Sequence, residues 1–356
     1  MKPTVVVLQE QVPPYRVPLF RFLTEELGRR DLDLLVLSSS ALPKAAELGF
    51  PHLRIKASRY GLYAVDAIYR ERPAVLVLPH SARFAPVAAA TRLMQSHGRK
   101  QVFWGMGLAR RFRAAAERDR RPGAEAVRRL MLATCDHYLS YTEMSTATLL
   151  NRGYDAARVT TLDNAVEALV SPEQAMSAQR VPLQILFVAS LLEDKEPLAA
   201  VAIVERLRLI APGATLHIVG DGPLRPQCEQ AANEREWVHY HGYQRGQGLR
   251  ELALASDIAI IPGRIGLAVL EMASAGLPMA TFAASRHSPE IVYLKDGITG
   301  LFLTDDINVA AKELGTLLTD RPALERMRAE AVNTARKYTI QRMAANFAGG
   351  VLASLS

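Results

Sequence analysis

The stretch IIPGRIGLAVLEMASAG, residues 260–276, decides how the chain is read. An apolar run suited to a buried strand stops at Pro262-Gly263, and the small residues that follow suit a helix beginning at Gly266. One carboxylate, Glu271, stands in that helix among apolar neighbours. A helix start offers free N–H groups and a positive dipole end to an anion, and a glycine there lets the backbone come close.

Outward from this stretch, strand-like runs alternate with amphipathic segments. Before it lie QILFVAS (184–190), TLHIVGDG (215–222) and VHYHGY (238–243); DIAIIPG (257–263) overlaps it and LPMATF (277–282) follows. An earlier series holds TVVVLQ (4–9), LDLLVLS (32–38), AVLVLP (74–79), KQVFWG (100–105), HYLSYT (137–142) and RVTTLDN (158–164). Continuous apolar strands alternating with helices predict parallel sheets covered on both faces. The polar, irregular segment 166–182 separates the series as a linker. The expected architecture is α/β: two doubly wound, Rossmann-like domains facing a cleft, residues 1–167 and 168–337, with ligands at the carboxyl ends of the strands.

The totals agree with a globular chain: 356 residues, 49% hydrophobic and 22% charged, enough for two domains with sizeable cores. Two cysteines, Cys135 and Cys228, make no disulfide framework and suit a reducing compartment. The first residues, MKPTVVVLQEQVPPY, do not read as a signal peptide, and no run nears the roughly 20 apolar residues of a membrane span. A cytoplasmic protein is expected, peripheral on the inner face of the membrane if its charge meets lipid. The net charge of +7 favours anionic partners. Residues 108–121, LARRFRAAAERDRR, concentrate that charge, either as a solvated helix face or as a patch for an anionic membrane surface or a phosphate-bearing substrate. Nucleic acid is not expected, because aromatics are 6% and do not interleave with the basic residues.

GDGPLR (220–225) follows a strand but has Arg225 where the third glycine of a dinucleotide fingerprint would stand. No phosphate-binding G-x-x-x-x-G-K-[ST], H-E-x-x-H or G-x-S-x-G occurs. His239 and His241 alternate along one strand, where metal ligation and ordinary strand positions are both open.

The order of motifs in the second half is more specific. ASLLEDKEP, VGDGP, GRIGLAVLE and SPEIVYLKDGITG resemble, in sequence, the patterns G-R-L-x-x-x-K-G, G-x-G, E-G-F-G-L-x-x-x-E and P-E-I-[IV]-x-x-G-x-x-G. These are the patterns of GT-B glycosyltransferases, specifically the retaining family 4, or group 1, transferases. The first half resembles them more weakly, through PPYRVPLF, FWGMG and VTTLDNAVE. Three departures stand out: Ser190 replaces the arginine, Gly263 replaces the first glutamate, and Arg286, His287 and Ser288 replace the glycines before P-E-I.

The resemblance implies sugar transfer from a nucleotide-sugar to a glycan or lipid-linked acceptor, with retention of configuration, in cell-surface polysaccharide or glycolipid synthesis. It places Glu271 on the ribose hydroxyls and Lys195 on the diphosphate, with Arg264 in place of the arginine lost at Ser190. Gly220, Gly222, Pro223, Gly266 and Leu267 complete the donor side. No cofactor beyond the nucleotide-sugar co-substrate and no metal is expected, since cations and backbone dipoles stabilise the departing diphosphate. On the acceptor side stand Tyr15 and Arg16, expected to point outward from the loop after the first strand, and Met106, where many relatives carry a histidine. His80 and Arg83 are alternatives for orienting the acceptor. The resemblance also implies that a C-terminal helix, 338–356, returns to the first domain. Two other functions stay open: a catalytically degenerate nucleotide-sugar-binding protein, and a UDP-sugar epimerase of the same architecture.

Overall fold

The computed structural model describes residues 2–42, 45–55, 62–93, 98–108, 112–113, 116–117 and 122–356. The chain divides into two compact units, one of residues 1–110, 117–166 and 339–356, the other of residues 111–116 and 167–338.

The first unit is built on seven parallel strands: Thr4–Leu8, Asp33–Ser38, His52–Arg54, Val75–Pro79, Lys100–Gly105, His137–Ser140 and Val159–Thr161. In space they run third, second, first, fourth, fifth, sixth, seventh. Val5, Val6 and Val7 are fully buried, as a strand covered on both faces requires. The helix Val17–Gly28 opens with Pro18 in its first turn and buries Leu19, Phe20, Leu23 and Leu27 on one stripe.

The last helix, Ile340–Leu355, belongs to this same unit. Thr339 caps it by accepting from the Arg342 N–H, and Ile340, Met343, Ala344, Phe347, Ala348 and Val351 form its buried face. Phe347 meets Trp104 edge to face with ring centres 5.2 Å apart. Gly350 lets the helix lie against the sheet, since a Cβ there would fall 3.0 Å from the Thr160 side chain and closer still to Leu139.

The second unit has six parallel strands: Gln184–Val188, Thr215–Val219, Val238–Tyr240, Ile258–Ile260, Met279–Phe282 and Gly300–Leu303. They run third, second, first, fourth, fifth, sixth. The order reverses between the first and fourth strands, so the loops 189–196 and 261–267 flank the place where such sheets hold ligands. At the amino end of the fourth strand, fully buried Asp257 accepts from Arg321 at 2.7 Å, from Arg328, and from the Leu183 N–H at 2.8 Å. That network fixes the helix Arg321–Lys337 to the sheet.

The expected linker 166–182 is not wholly irregular. It contains a short helix, Pro172–Met176, with a reciprocal capping box between Ser171 and Gln174. Among the described residues, no helix is long and apolar enough to cross a membrane.

Candidate functional site

At the carboxyl edge of the second sheet, two loops are zipped together. The Leu191 N–H donates to the Asp221 carbonyl at 2.9 Å, and the Leu224 N–H to the Leu191 carbonyl at 3.0 Å. Gly220 and Gly222 sit at φ +151° and +154°, and a Cβ on Gly222 would lie 2.7 Å from the Leu191 carbonyl oxygen. The glycines of VGDGP are thus required by the loop after the first strand, which Pro223 follows into the next helix. Ser190, at the tip of that first loop, is exposed.

The loop after the fourth strand packs against the same turn. The Gly263 and Arg264 N–H groups donate to the Lys195 and Asp194 carbonyls at 3.3 and 2.6 Å. A Cβ at 263 would lie 2.8 Å from the Lys195 carbonyl carbon and nearer still to the Asp194 oxygen. The position where the resembling pattern has its first glutamate is therefore closed by backbone; no side chain fits there. Arg264 is not a free cation: its Nε donates to Asp194 at 2.7 Å. Lys195 donates from Nζ to the Arg264 carbonyl. Burial, and then the Arg264 charge, lower the Lys195 pKa to about 8 against the pull of Asp194 and Glu290.

The helix expected from Gly266 begins later and is short, Ala268–Ser274 with Leu267 at its N-cap. Gly266 accepts from the Val269 N–H, so the chain turns once before entering the helix. A Cβ at 266 would meet only Ser288, at ordinary distance, so no protein neighbour crowds the side of Gly266. Glu271 comes in the first turn. Its carboxylate is half-buried and has no hydrogen-bond or ion-pair partner among the described residues. Burial raises its pKa, with Arg245 opposing. A carboxylate held this way is a ready acceptor for hydroxyl donors.

Three residues at this edge escaped the sequence reading as site residues. His287 is fully buried: its Nδ1 accepts from the Ile265 N–H at 3.2 Å, so its Nε2–H donates to the Phe282 carbonyl at 3.2 Å. Burial holds its pKa at about 4, so it is neutral and pins the Arg264–Gly266 turn. Glu196 and Asp305, with Asp194, Arg264, Phe282 and Arg286, line a pocket of about 480 Å³. The sequence signal for Glu196 was its place in ASLLEDKEP, where the pattern has a glycine. His287 was visible only as a departure from a glycine.

In the first unit the expected acceptor residues lie differently. Arg16 does not point outward; it is 5% exposed. Its guanidinium lies over Tyr15 and Trp104, both at 5.2 Å, and over Tyr141 at 5.7 Å, and its Nη1 contacts the Met343 sulfur at 3.5 Å. Tyr15 is exposed and Met106 half-buried. His80 is inside: its Nδ1 bonds the Tyr138 hydroxyl at 2.8 Å and its Nε2 the Arg128 carbonyl at 2.9 Å. Both nitrogens are engaged within the unit, so the ring is held inside rather than turned toward an acceptor. Arg83 is exposed and pairs with Glu10. In the basic stretch 108–121, the side chains from residue 109 onward lie outside the described residues. His217 and His241 bond each other at 2.9 Å beside His239, and no group of three His, Cys, Asp or Glu residues among those described is placed to hold a metal.

Residues 182–320 match the family described as Glycosyl transferases group 1. The glycogen synthase of Mycobacterium tuberculosis is 29% identical over 186 residues, which is 50% of this chain and 44% of that enzyme. The chain therefore spans less than half the length of that curated relative. Among solved structures, a glycosyltransferase from Rickettsia africae ESF-5 superposes with a TM-score of 0.73 at 12% identity, covering 99% of both chains. Anabaena HepE in complex with UDP-glucose superposes at 0.68 with 13% identity, again over 99% of both chains. Residues 182–320 thus resemble the glycosyl transferases group 1, and the chain as a whole carries the GT-B fold.

Proposed function

We propose that the protein transfers a sugar from a nucleotide-sugar to a glycan or lipid-linked acceptor, with retention of anomeric configuration. The observation that carries this reading is Glu271, a half-buried carboxylate without a protein partner at the strand-order reversal of a group 1 transferase unit. In this reading it accepts from the ribose hydroxyls, and Lys195 and Arg264 stand by the diphosphate. HepE, of the same fold, was solved with UDP-glucose, which supports a nucleotide-sugar as donor. No metal is invoked in this reading: Lys195 supplies charge to a departing diphosphate, with Arg264, whose Nε is held by Asp194, beside it. We place the protein in the cytoplasm, with the basic stretch 108–121 as its contact with an anionic leaflet.

A second reading draws on one observation: position 263 has no room for an acid. Here the protein binds a nucleotide-sugar without transferring it. Incubation with labelled donor separates the two, since only a transferase releases nucleoside diphosphate.

Binding tests the site itself. In Glu271→Gln, affinity for the nucleoside diphosphate and for the full donor should fall together, by about ten- to a hundredfold, because a hydrogen bond to a charged group is worth about 1.5–3 kcal/mol. Lys195→Ala should weaken the diphosphate far more than the nucleoside. A Glu271→Gln protein that binds normally but melts early would make Glu271 a structural acid and end the reading.

A further inference from the structure

We propose that Glu196 is the carboxylate that recognises the transferable sugar of the donor and sets its charge class as neutral. The inference rests on the nucleotide-sugar reading above and adds a residue and a specificity to it. Two neighbouring loops have exchanged residue types. Where the resembling pattern places glutamate, this chain has Gly263, walled in by the backbone of Asp194 and Lys195. Where the pattern places glycine, immediately after the lysine, it has Glu196. Glu196 holds φ +56° and ψ +51°, a left-handed conformation that glycine adopts freely and glutamate only at a cost. The chain keeps the glycine-like backbone and hangs a carboxylate on it.

That carboxylate lines the 480 Å³ pocket at the carboxyl edge of the sheet. It has no hydrogen-bond or ion-pair partner among the described residues, whereas Asp194 in the same pocket is paired with Arg264 and Asp305 accepts from the Ala284 N–H. The pocket volume falls in the range of small-molecule sites, and sugar hydroxyls are donors suited to an unpaired carboxylate. The charged groups of the pocket lining are three acids, Asp194, Glu196 and Asp305, against Arg264 and Arg286, with Arg264 held by Asp194; burial and the two neighbouring acids raise the Glu196 pKa. A uronic acid would bring a further carboxylate against this group. A neutral hexose brings only hydroxyls.

Isothermal titration of the whole chain with UDP, GDP, UDP-glucose, GDP-mannose and UDP-glucuronate tests this. In the wild type, one neutral sugar nucleotide should bind about tenfold or more tightly than UDP-glucuronate. In Glu196→Gly, that preference should disappear while UDP or GDP affinity is unchanged. The melting temperature without ligand should rise by about 2–4 °C as the backbone strain is relieved. Glu196→Gln should keep binding the neutral donor and gain tolerance for the uronate. Unchanged discrimination in Glu196→Gly, with or without a stability gain, overturns the inference while leaving the donor site standing. A wild type that binds none of the five overturns the donor reading and the inference together.

Discussion

Equivalent places in the two sheets are used in opposite ways. After the first strand of the first unit, Arg16 is stacked among Tyr15, Trp104 and Tyr141; after the first strand of the second, Glu196 lines a pocket without a partner. After the fourth strand of the first unit, His80 bonds through both ring nitrogens to its own core; after the fourth strand of the second, Gly263 and Arg264 close on the turn that carries Lys195. The strand orders match through all six strands of the second sheet, and the first sheet adds a seventh. Strand order therefore says where a site can be built, and the neighbours decide whether polar groups are consumed by the fold or left for a ligand.

The largest effect that would break this contrast is in the first unit. His80→Ala removes a buried ring and its bonds to the Tyr138 hydroxyl and the Arg128 carbonyl, leaving that hydroxyl only the Gly107 N–H, and should cost about 3 kcal/mol in denaturant unfolding. If stability instead hardly moves and acceptor use is lost, His80 belongs with the site residues and the contrast is false.

Next comes acid. The His287 pKa is about 4 in the fold against the ordinary 6.5, so between those values the unfolded chain binds the proton more readily. Its contribution is intact above about pH 6.5 and is lost as pH falls toward 4, by up to about 3 kcal/mol. Half-buried His217, also held at about 4, acts in the same direction. The denaturant midpoint measured from pH 7 to 4.5 should drop, and His287→Asn should flatten the slope; an unchanged slope would remove His287 as the pin of the Arg264 turn.

The smallest effect sharpens the second unit's side of the comparison. Lys195, at about pKa 8, is charged below that pH. Nucleoside diphosphate affinity should hold up to pH 8 and then fall about three- to tenfold by pH 9.5, with nucleoside affinity flat. A flat profile for both would leave Lys195 as a loop-locking residue only.

How far these assignments were legible in the sequence follows the range of the forces involved. Runs such as VVVL and ILFV announced their strands because covered parallel strands are apolar throughout. The three-residue strand His52–Arg54 carries no such run, and the strand Gly300–Leu303 carries only the three apolar residues after its glycine; both add on as sheet-edge strands by pairing. The Gly266 helix start was misplaced by two residues because a turn precedes it. The motif order located Lys195 and Glu271, but not what surrounds them. That Arg16 would be caged by residues as distant as Met343, or that Asp194 would pair Arg264 across 70 positions, depends on contacts no local pattern encodes.

The last helix has a bearing on synthesis at the ribosome. Residues 339–356 complete the first unit, yet they emerge only after all of residues 167–338. At roughly 5–20 residues per second, the intervening stretch takes on the order of ten to thirty seconds to make. Through that interval the groove that will receive Phe347 beside Trp104 waits open, with apolar surface exposed to chaperones or to misassociation. The unit made first is thus the unit finished last, and a chain cut short near residue 338 would leave the first unit incomplete while the second has all of its own residues.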